Sequence, residues 1–430
     1  MTKNILVPEG YKKTELGVIP EDWEVISLKE ITDFHKQGYY TKEKYVENGV
    51  KFLRITDIDN RGNIKNETMP SLNISKTDYE NYKLESGDFA FARSGAIGRV
   101  GLVRNNEETI FGSYIIKFKF NQEVTDNEFF IRYFNGDIFR KELFKMIQGA
   151  SNQNVNAENI KRCNIILPTL KEQQKIASIL SKVDEQIEQT EQIIEKTEIL
   201  KKGLMQKLLT KGIGHTKFKK TELGEIPEEW SIEKLGVLCE LITKGTTPTT
   251  VGFSYQNTGI NFVKIESISA SGNFLLNMFS HISENANKAL KRSILKDRDL
   301  LFSIAGALGR VAIVNSEILP ANTNQALAII RLKEDQKKDI KYVYFYLKGP
   351  QIQKHIDRIN VQSAQANLSL ENINNFKIAL PQKEEQQKIT SILSKVDSQI
   401  RDNQNYLTRL QELKKGLMQD LLTGKVRVCV

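Results

Sequence analysis

The chain has 430 residues, a formal net charge of +9 and a pI near 9.1. No run of about 18 apolar residues occurs and the first residues lack an apolar signal core, so the sequence argues against a membrane segment and predicts a cytoplasmic protein. The excess of Lys and Arg fits a polyanion partner, because cations that neutralise phosphates release condensed counterions.

The segment Lys13–Trp23 (KTELGVIPEDW) opens the first half of the chain and returns as Lys220–Trp230 (KTELGEIPEEW). A repeat at this spacing indicates two copies of one module. Trp23 and Trp230 are predicted to anchor the opening segments in the cores of their modules.

Residues 24–160 and 231–373 each show the mixed pattern of an α/β module. Alternating apolar runs predict strands, and longer apolar-periodic runs predict helices. The predicted strands are Val50–Thr56, Phe89–Arg93, Ser113–Phe120, Ile260–Glu266 and Ala326–Arg331, and the predicted helices are Asn127–Gln148 and Ile340–Asn360.

Each module contains a Gly-x-x-Gly-Arg turn, in Arg93–Val100 (RSGAIGRV) and Ile304–Val311 (IAGALGRV). Such a turn lets backbone approach a phosphate, with Arg99 or Arg310 as the counter-charge. It lacks the Lys-Ser/Thr of a P-loop and the spacing of a dinucleotide fingerprint, which disfavours nucleotide binding there. The alternative is a tight hairpin whose glycines serve only geometry and whose arginines face solvent.

A run rich in Asn, Gln and Ser precedes each long helix, at Gln148–Val155 and Gln362–Leu368. Side-chain amides can read adenine edges in a groove. Ordinary polar loops would have the same composition, so both interpretations stay open.

Pro168–Thr210 returns as Pro381–Thr423 with about 25 of 43 aligned positions identical, far above chance for a fixed-period repeat. Thr169 and Glu172 form a possible capping box, while Gln382 makes the second start less clear. Gly212 and Gly424 follow the last periodic residues, as C-terminal glycines do. Each segment therefore predicts a helix of about 40 residues, or roughly 60 Å.

Apolar or small residues in both segments alternate four and three apart, as in the seam of packed helices. The simplest partner for each seam is the other copy, in an antiparallel pair with pseudo-twofold symmetry. The alternative is homodimerisation through these helices. The seam consists of Ile176, Leu180, Val183, Ile187, Thr190, Ile194 and Thr197 in the first copy, and Ile389, Leu393, Val396, Ile400, Asn403, Leu407 and Leu410 in the second.

No catalytic or metal-ligand pattern is present in the sequence. The four histidines and three cysteines are scattered, and Walker A, methyl-donor and nuclease motifs are missing. The sequence thus predicts no catalytic residues and no metal site, so that any chemistry is done by a partner. The predicted fold class is α+β: two mixed α/β modules, each followed by a long helix of an antiparallel coiled coil.

The paired signatures Glu172–Ile176 (EQQKI) and Glu385–Ile389 (EQQKI), each followed by Val-Asp at Val183 and Val396, resemble the specificity subunits of type I restriction–modification enzymes. The resemblance covers essentially the whole chain. It divides the chain into a target recognition domain at 1–160, a first spacer helix at 161–215, a second recognition domain at 216–373 and a second spacer helix at 374–430.

The resemblance implies that each recognition domain reads one half of a bipartite, asymmetric DNA site. The helices would fix the distance between half-sites, close to one turn of duplex. Two modification subunits and the restriction (translocase) subunits would dock on this chain. S-adenosylmethionine, ATP and Mg²⁺ are expected on those partners, with no cofactor on the chain itself.

Contacts to DNA divide into phosphate positioning and base readout. Loop chemistry suggests Lys51, Arg99, Lys244 and Arg310 for phosphates. For bases it suggests Arg93, Ser94, Asn152, Gln153 and Asn154 in the first module and Thr246, Thr247, Gln362, Gln365 and Asn367 in the second. Two rival functions remain: a stand-alone DNA-binding or architectural protein that dimerises through its helices, and an enzyme with a non-obvious site.

Overall fold

The computed structural model describes residues 7–146, 154–334, 339–362 and 367–430, with side chains left undescribed at 359–362. The chain divides into two compact units, and each contains one α/β module. Unit 1 comprises residues 1–191 and 405–430, and unit 2 comprises residues 192–404. Each unit therefore holds part of both long helices.

Unit 1 begins with a small hairpin and then builds a module around two sheets. The main sheet has the antiparallel order β4-β10-β7-β8, and a smaller sheet has the order β6-β5-β9. The strands are β1 Tyr11–Thr14, β2 Gly17–Pro20, β3 Glu24–Ser27, β4 Thr32–Gln37, β5 Val50–Leu53, β6 Ser71–Leu72, β7 Phe89–Ala92, β8 Val100–Leu102, β9 Thr109–Phe111, β10 Ile115–Phe120 and β11 Asn164–Leu167. The helices are α1 Lys76–Tyr82, α2 Asn127–Phe134, α3 Asp137–Lys145, α4 Ala157–Lys161 and the long α5 Leu170–Lys211.

Unit 2 repeats this plan. Its main sheet has the order β15-β21-β18-β19 and its smaller sheet the order β17-β16-β20. The strands are β12 Phe218–Thr221, β13 Gly224–Pro227, β14 Ser231–Lys234, β15 Cys239–Lys244, β16 Ile260–Val263, β17 Ser280–Ile282, β18 Leu300–Ser303, β19 Val311–Ile313, β20 Ala321–Thr323, β21 Leu327–Leu332 and β22 Lys377–Leu380. The helices are α6 Leu235–Leu238, α7 Glu284–Ala289, α8 Ile340–Leu347, α9 Pro350–Gln362, α10 Leu370–Asn374 and the long α11 Lys383–Leu421.

The predicted strands are all present; four are shorter than the sequence pattern suggested, and Ala326–Arg331 is shifted by one residue to Leu327–Leu332. The run Val50–Thr56 ends as a strand at Leu53 and continues into a 3₁₀ turn at Ile55–Asp57. The helical stretches predicted at Asn127–Gln148 and Ile340–Asn360 are helical over their described residues, and each is divided into two helices. Gly136 begins the second helix in unit 1 and Gly349 precedes Pro350 in unit 2, where proline cannot continue the preceding helix.

The chain enters and leaves each module through one antiparallel strand pair. In unit 1, β3 pairs with β11 and the Leu28 backbone N–H donates to the Cys163 carbonyl at 2.9 Å. In unit 2, β14 pairs with β22 and Leu235 donates to Phe376 at 2.7 Å. Because both ends of each module meet at such a pair, the module is an insertion into a constant frame.

The two long helices are confirmed, and they run antiparallel within each unit. In unit 1, Lys414 contacts Asp184 at 2.5 Å while Leu421 packs in the core with Ile176. In unit 2, Lys201 pairs with Asp397. The seams are therefore covered within the chain, which removes the reason to invoke homodimerisation.

The predicted seam positions lie inward along both helices. Buried members are Ile176, Leu180, Ile187, Thr190, Thr197, Ile389, Leu393, Val396, Ile400 and Leu410. The half-buried members are Val183, Ile194, Asn403 and Leu407. The hydroxyls of Thr190 and Thr197 each donate a hydrogen bond of 2.6 Å to the backbone carbonyl one turn earlier in the helix.

The repeated EQQ signature ties each long helix to its module. Trp23, fully buried as predicted, donates its indole N–H to Glu172 at 2.9 Å. The next residue, Gln173, accepts from the Asp126 backbone N–H at 2.8 Å, just before α2. Trp230 donates to Glu385 at 3.0 Å in unit 2. The signature glutamates thus act as acceptors, Glu172 buried and Glu385 half-buried, and Glu172 also caps its helix with Thr169 as expected from sequence.

A basic side chain that follows the end of one long helix also binds the glutamate at the start of the other. In unit 1, Arg427 donates to Glu172 at 2.8 Å and to Asp22 at 2.8 and 2.9 Å. These hydrogen bonds hold the pKa of Asp22 below its usual value. In unit 2, His215 contacts the Glu385 carboxylate at 2.9 Å. We call each arrangement of tryptophan, glutamate and basic side chain a clamp.

No helix in the described ranges is long and apolar enough to cross a membrane.

Candidate nucleic-acid interface

One end of each main sheet gathers the loops that contain most of the predicted DNA contacts. In unit 1 the chain leaves β4 and β7 and enters β8 and β10 at this end. In unit 2 the corresponding ends belong to β15, β18, β19 and β21. We call these two surfaces the loop ends of the modules.

In each module the glycine turn contacts the last residue of the polar run at the loop end. Arg93, which opens the glycine turn of unit 1, accepts a hydrogen bond from the Val155 N–H at 2.8 Å. In unit 2, Ile304 accepts from the Leu368 N–H at 2.9 Å. The last residue of each polar run, Val155 or Leu368, is thereby held against the glycine turn of the same module.

The glycine turns need glycine for geometric reasons in both modules. Gly95 and Gly98 have φ of +74° and +84°, and Gly306 and Gly309 have φ of +74° and +78°. These left-handed values favour glycine over any other residue. A Cβ at Gly309 would also lie 2.7 Å from Ile356, so this turn lies close against α9.

Arg99 and Arg310 bind backbone carbonyls of their own modules, which the sequence did not predict. Arg99 donates to the carbonyls of Ile55 and Ile58 at 3.4 and 3.2 Å. Arg310 donates to the equivalent carbonyls of Ile265 and Ile268, at 3.4 and 2.7 Å. The expectation that these arginines face solvent is therefore wrong: each joins the glycine turn to the 3₁₀ turn after β5 or β16. Their role at phosphates stays a prediction.

Replacing Arg310 by methionine separates the two roles. We expect a loss of about 1–2 kcal/mol in unfolding free energy, because two partly buried carbonyls lose their donor. Urea unfolding measures this loss, and the salt dependence of DNA affinity measures the other role. Unchanged stability with a salt slope smaller by about 0.9 would show a phosphate contact instead. Lys288→Met, which removes an exposed charge from α7, is the control.

The other predicted phosphate contacts differ in position. Lys244 ends β15 and is exposed at the loop end of unit 2. Lys51 is half-buried inside β5 of the smaller sheet, where it pairs with Thr109 and Ser71. Lys244 is thus the more accessible of the two to a backbone phosphate.

The predicted base contacts that the structure describes lie at the loop ends. Arg93 and Ser94 are half-buried, and Asn154 is exposed beside them. Among the described side chains, the buried Arg93 Nε has no hydrogen-bond partner. In unit 2, Thr246 accepts from Arg292 at 3.2 Å, Thr247 donates to Gln325 at 2.5 Å, and Asn367 is exposed. Asn152, Gln153 and Gln365 lie outside the described residues, and Gln362 is described only as the last backbone position of α9.

Four aromatic residues at or near these loops were missed by sequence reasoning. Tyr40 and Tyr114 at the loop end of unit 1 are 69% and 65% exposed. In the smaller sheets, the Arg54 guanidinium lies 5.8 Å from the Tyr45 ring, and the Lys264 amine lies 4.3 Å from the Tyr255 ring. These two cation–aromatic pairs occupy corresponding positions of the repeat. The recurrence of a tyrosine and a basic residue at these positions of the repeat was the signal from which the pairs could have been predicted.

A catalytic or metal-binding arrangement is not observed among the residues that the structure describes. No group of three or more His, Cys, Asp and Glu side chains there is placed to hold a metal ion. Burial raises the pKa of the Cys163 thiol to about 12, which keeps it protonated and unreactive. The described histidine His215 is occupied by the clamp.

Comparison with known proteins places the chain in a family. A family model described as "Type I restriction modification DNA specificity domain" matches residues 20–198 and 227–414. The chain is 30% identical to a putative type I restriction enzyme MjaX specificity subunit of Methanocaldococcus jannaschii, over 98% of this chain and 97% of that one. It is 22% identical to the EcoBI specificity subunit of Escherichia coli, over 95% and 87% of the two chains.

Solved structures share the fold. A chain from a study of complex assembly and conformational transition of the type I R-M system has a TM-score of 0.60 at 18% identity, covering 95% of this chain and 99% of that one. The type I restriction–modification S subunit of M. genitalium has a TM-score of 0.55 at 16% identity, covering 93% and 96%. With both modules matched by the family model, the chain belongs to the type I restriction–modification DNA specificity family.

Proposed function

We propose that this chain is the DNA sequence-recognition subunit of a type I restriction–modification complex, and that each module reads one half of a bipartite, asymmetric site. The observation that carries the proposal is a contrast between corresponding positions. The loop end of unit 1 presents the phenols Tyr40 and Tyr114, whereas unit 2 presents the hydroxyl and amide of Thr247 and Gln325. One scaffold with different chemistry at one surface suits two different half-sites.

The long helices serve as the spacer in this proposal. Their seams are covered within the chain, and the clamps tie both ends of the helix pair to the modules. A rigid helix pair suits a fixed distance between half-sites, as half-site spacing does in dimeric DNA binders. The family and the covered seams disfavour a stand-alone protein that dimerises through these helices.

The chemistry is proposed to come from partners. Two modification subunits would methylate adenine with S-adenosylmethionine, and restriction subunits would use ATP and Mg²⁺. These assignments follow the resemblance to the family, whose members are named specificity subunits. This chain would supply DNA recognition and docking surfaces, with no catalytic residue of its own.

Mapping of methylated adenines tests the proposal. Cells that carry this chain with its candidate methyltransferase partner are compared with cells in which the chain is deleted. We expect the chain to add one split motif, with two short specific halves around a fixed gap. Methylation that is the same with and without the chain would contradict the proposal.

The cation–aromatic pairs give a second expectation. Tyr45→Ala and Tyr255→Ala should each weaken DNA binding by about 1–3 kcal/mol if their rings contact nucleotides. Tyr45→Phe and Tyr255→Phe keep the rings and should bind as the parent does. Fluorescence anisotropy with a duplex that contains the mapped motif measures the affinities. Equal affinities for the alanine and phenylalanine variants would exclude ring contacts.

A further inference from the structure

A cavity of about 830 Å³ lies within unit 2, between the second module and the long helices. The module contributes the Ala270–Asn273 loop, Ile313 and parts of α8 and α9. The helices contribute residues 198–206 of α5 and 394–404 of α11. This volume is within the usual range for small-molecule sites.

The cavity is rich in positive charge. Six cationic side chains line it against three carboxylates, Glu198, Asp357 and Asp397. Within the described part of the chain, only one of the cations has an ion-pair partner: Lys201 binds Asp397. The six cations are Lys201, Lys202, Lys341, Lys348, Lys354 and Arg401.

Lys348 is the most enclosed of these cations. Its amine donates to the Ser271 carbonyl at 2.5 Å and to the Tyr344 hydroxyl at 3.0 Å, and both acceptors are neutral. Burial, with a smaller effect of Lys201, lowers the pKa of Lys348 to about 8. A partly buried ammonium group with neutral partners gains most from a nearby anion.

In the corresponding junction of unit 1, the charges that join module and helix are paired. There, Arg61 pairs with Glu191 at 2.8 Å and Arg132 pairs with Asp184 at 3.0 Å, so module and helix are joined by complementary charges. In unit 2, the residues that correspond to Arg61 and Arg132 are the uncharged Ser271 and Phe345.

One further position on each side of the junction changes in the same direction. When the two copies are aligned, Lys348 corresponds to Asn135 and Arg401 corresponds to Glu188. The cavity of unit 2 therefore has an excess of positive charge, with six cations against three carboxylates. Such an arrangement costs free energy in the empty site and is relieved by a bound anion.

We propose that this cavity binds a small phosphorylated anion. Its phosphates would lie among Lys348, Lys201 and Arg401, and the first turn of α9 adds the positive end of a helix through Pro350 and Gln353. An attached organic group would face the apolar wall of Ile313, Phe345, Met205 and Ile400. A DNA duplex is too wide to enter a cavity of this volume, so the ligand is a small molecule.

Isothermal titration calorimetry of the full chain tests the proposal with pyrophosphate and ADP as probes. We expect saturable binding of at least one probe at one site. Lys348→Met and Arg401→Gln should each weaken that binding at least tenfold. Arg401 is exposed, so its substitution leaves the fold intact even if Lys348→Met does not fold. Lys288→Met, outside the cavity, should bind as the parent does.

The two probes separate the sources of affinity. Equal affinities for pyrophosphate and ADP would show that the site binds the phosphate groups alone. Tighter binding of ADP would show that the apolar wall also contacts the organic group. Both results support the proposal. It is overturned if neither probe binds, if both variants bind unchanged, or if a tetraglutamate peptide binds while pyrophosphate does not.

The uptake of protons when the anion binds is an independent measurement of the role of Lys348. A bound anion raises the pKa of Lys348, so the affinity for ADP, whose phosphates are already ionised at pH 8, should fall as the pH rises above about 8. The groups that face Lys348 are Lys201, Asp397, Arg401 and Tyr344. Calorimetry at pH 8 in buffers of different ionisation enthalpy measures the uptake, which Lys348→Met should abolish. Equal uptake in parent and variant would contradict the site.

Discussion

Replacing Glu172 by alanine is expected to lower the unfolding free energy of unit 1 by about 2–4 kcal/mol, because a buried donor loses its acceptor and a hydrogen bond to a charged group is lost. Glu172 is fully buried, and its carboxylate accepts from the Trp23 indole and from Arg427. Alanine would leave the buried indole N–H with no acceptor and break the clamp between the end of α11 and the start of α5.

Urea unfolding followed by tryptophan fluorescence measures this loss. Trp23 and Trp230 are the two tryptophans of the chain, one in each unit, so a Trp230→Phe background reports on unit 1. Glu188→Ala, an exposed change on the same helix, should stay within about 0.5 kcal/mol of the parent. A Glu172→Ala variant as stable as this control would show that the clamp contributes nothing.

Lengthening both long helices by seven residues is expected to widen the gap of the DNA target by about three base pairs. Seven residues add roughly 10.5 Å and almost two whole turns, so the orientation changes little. Duplicating Ile187–Ile193 in α5 and Asn405–Gln411 in α11 keeps the four-three seam. Both half-sites should stay the same because no module residue changes.

Mapping of methylated adenines reads the gap and the half-sites together. Methylation at the original spacing should be lost, and methylation at the wider spacing should appear. The control lengthens α5 alone, which mismatches the seam and should abolish specific methylation at either spacing. A changed half-site sequence, or an unchanged gap with both helices lengthened, would contradict the spacer role.

The elements that repeat in the sequence were predicted well. Two copies with the same four-three pattern indicated the long helices, and the structure has them at Leu170–Lys211 and Lys383–Leu421. The paired tryptophans indicated buried anchors, which Trp23 and Trp230 are. Local pattern was sufficient here because each feature depends on residues close to one another in the sequence.

Features that depend on distant residues were not predicted. Arg99 binds carbonyls more than 40 residues earlier in the chain, and His215 binds Glu385 across 170 positions. Sequence reasoning treated Arg99 as solvent-facing or phosphate-bound and His215 as isolated. Only the folded backbone brings these acceptors within reach, and carbonyl acceptors have no signature in a sequence.

The predicted DNA contacts show the same division. The glycine turn and the polar run were identified separately, and the structure joins them through Arg93 and Val155. Tyr40 and Tyr114 were missed because single tyrosines in loops are indistinguishable from core residues until exposure is known. Which side chains read bases stays a prediction.

Exchanging one module for the other tests the central claim, that each module reads its own half-site. Leu28–Cys163 is replaced by Leu235–Phe376, so both junctions keep the backbone hydrogen bond that closes a module. Mapping of methylated adenines should then show two copies of the half-site read by the second module, with the first half-site gone. A motif that still contains the first half-site would contradict the account.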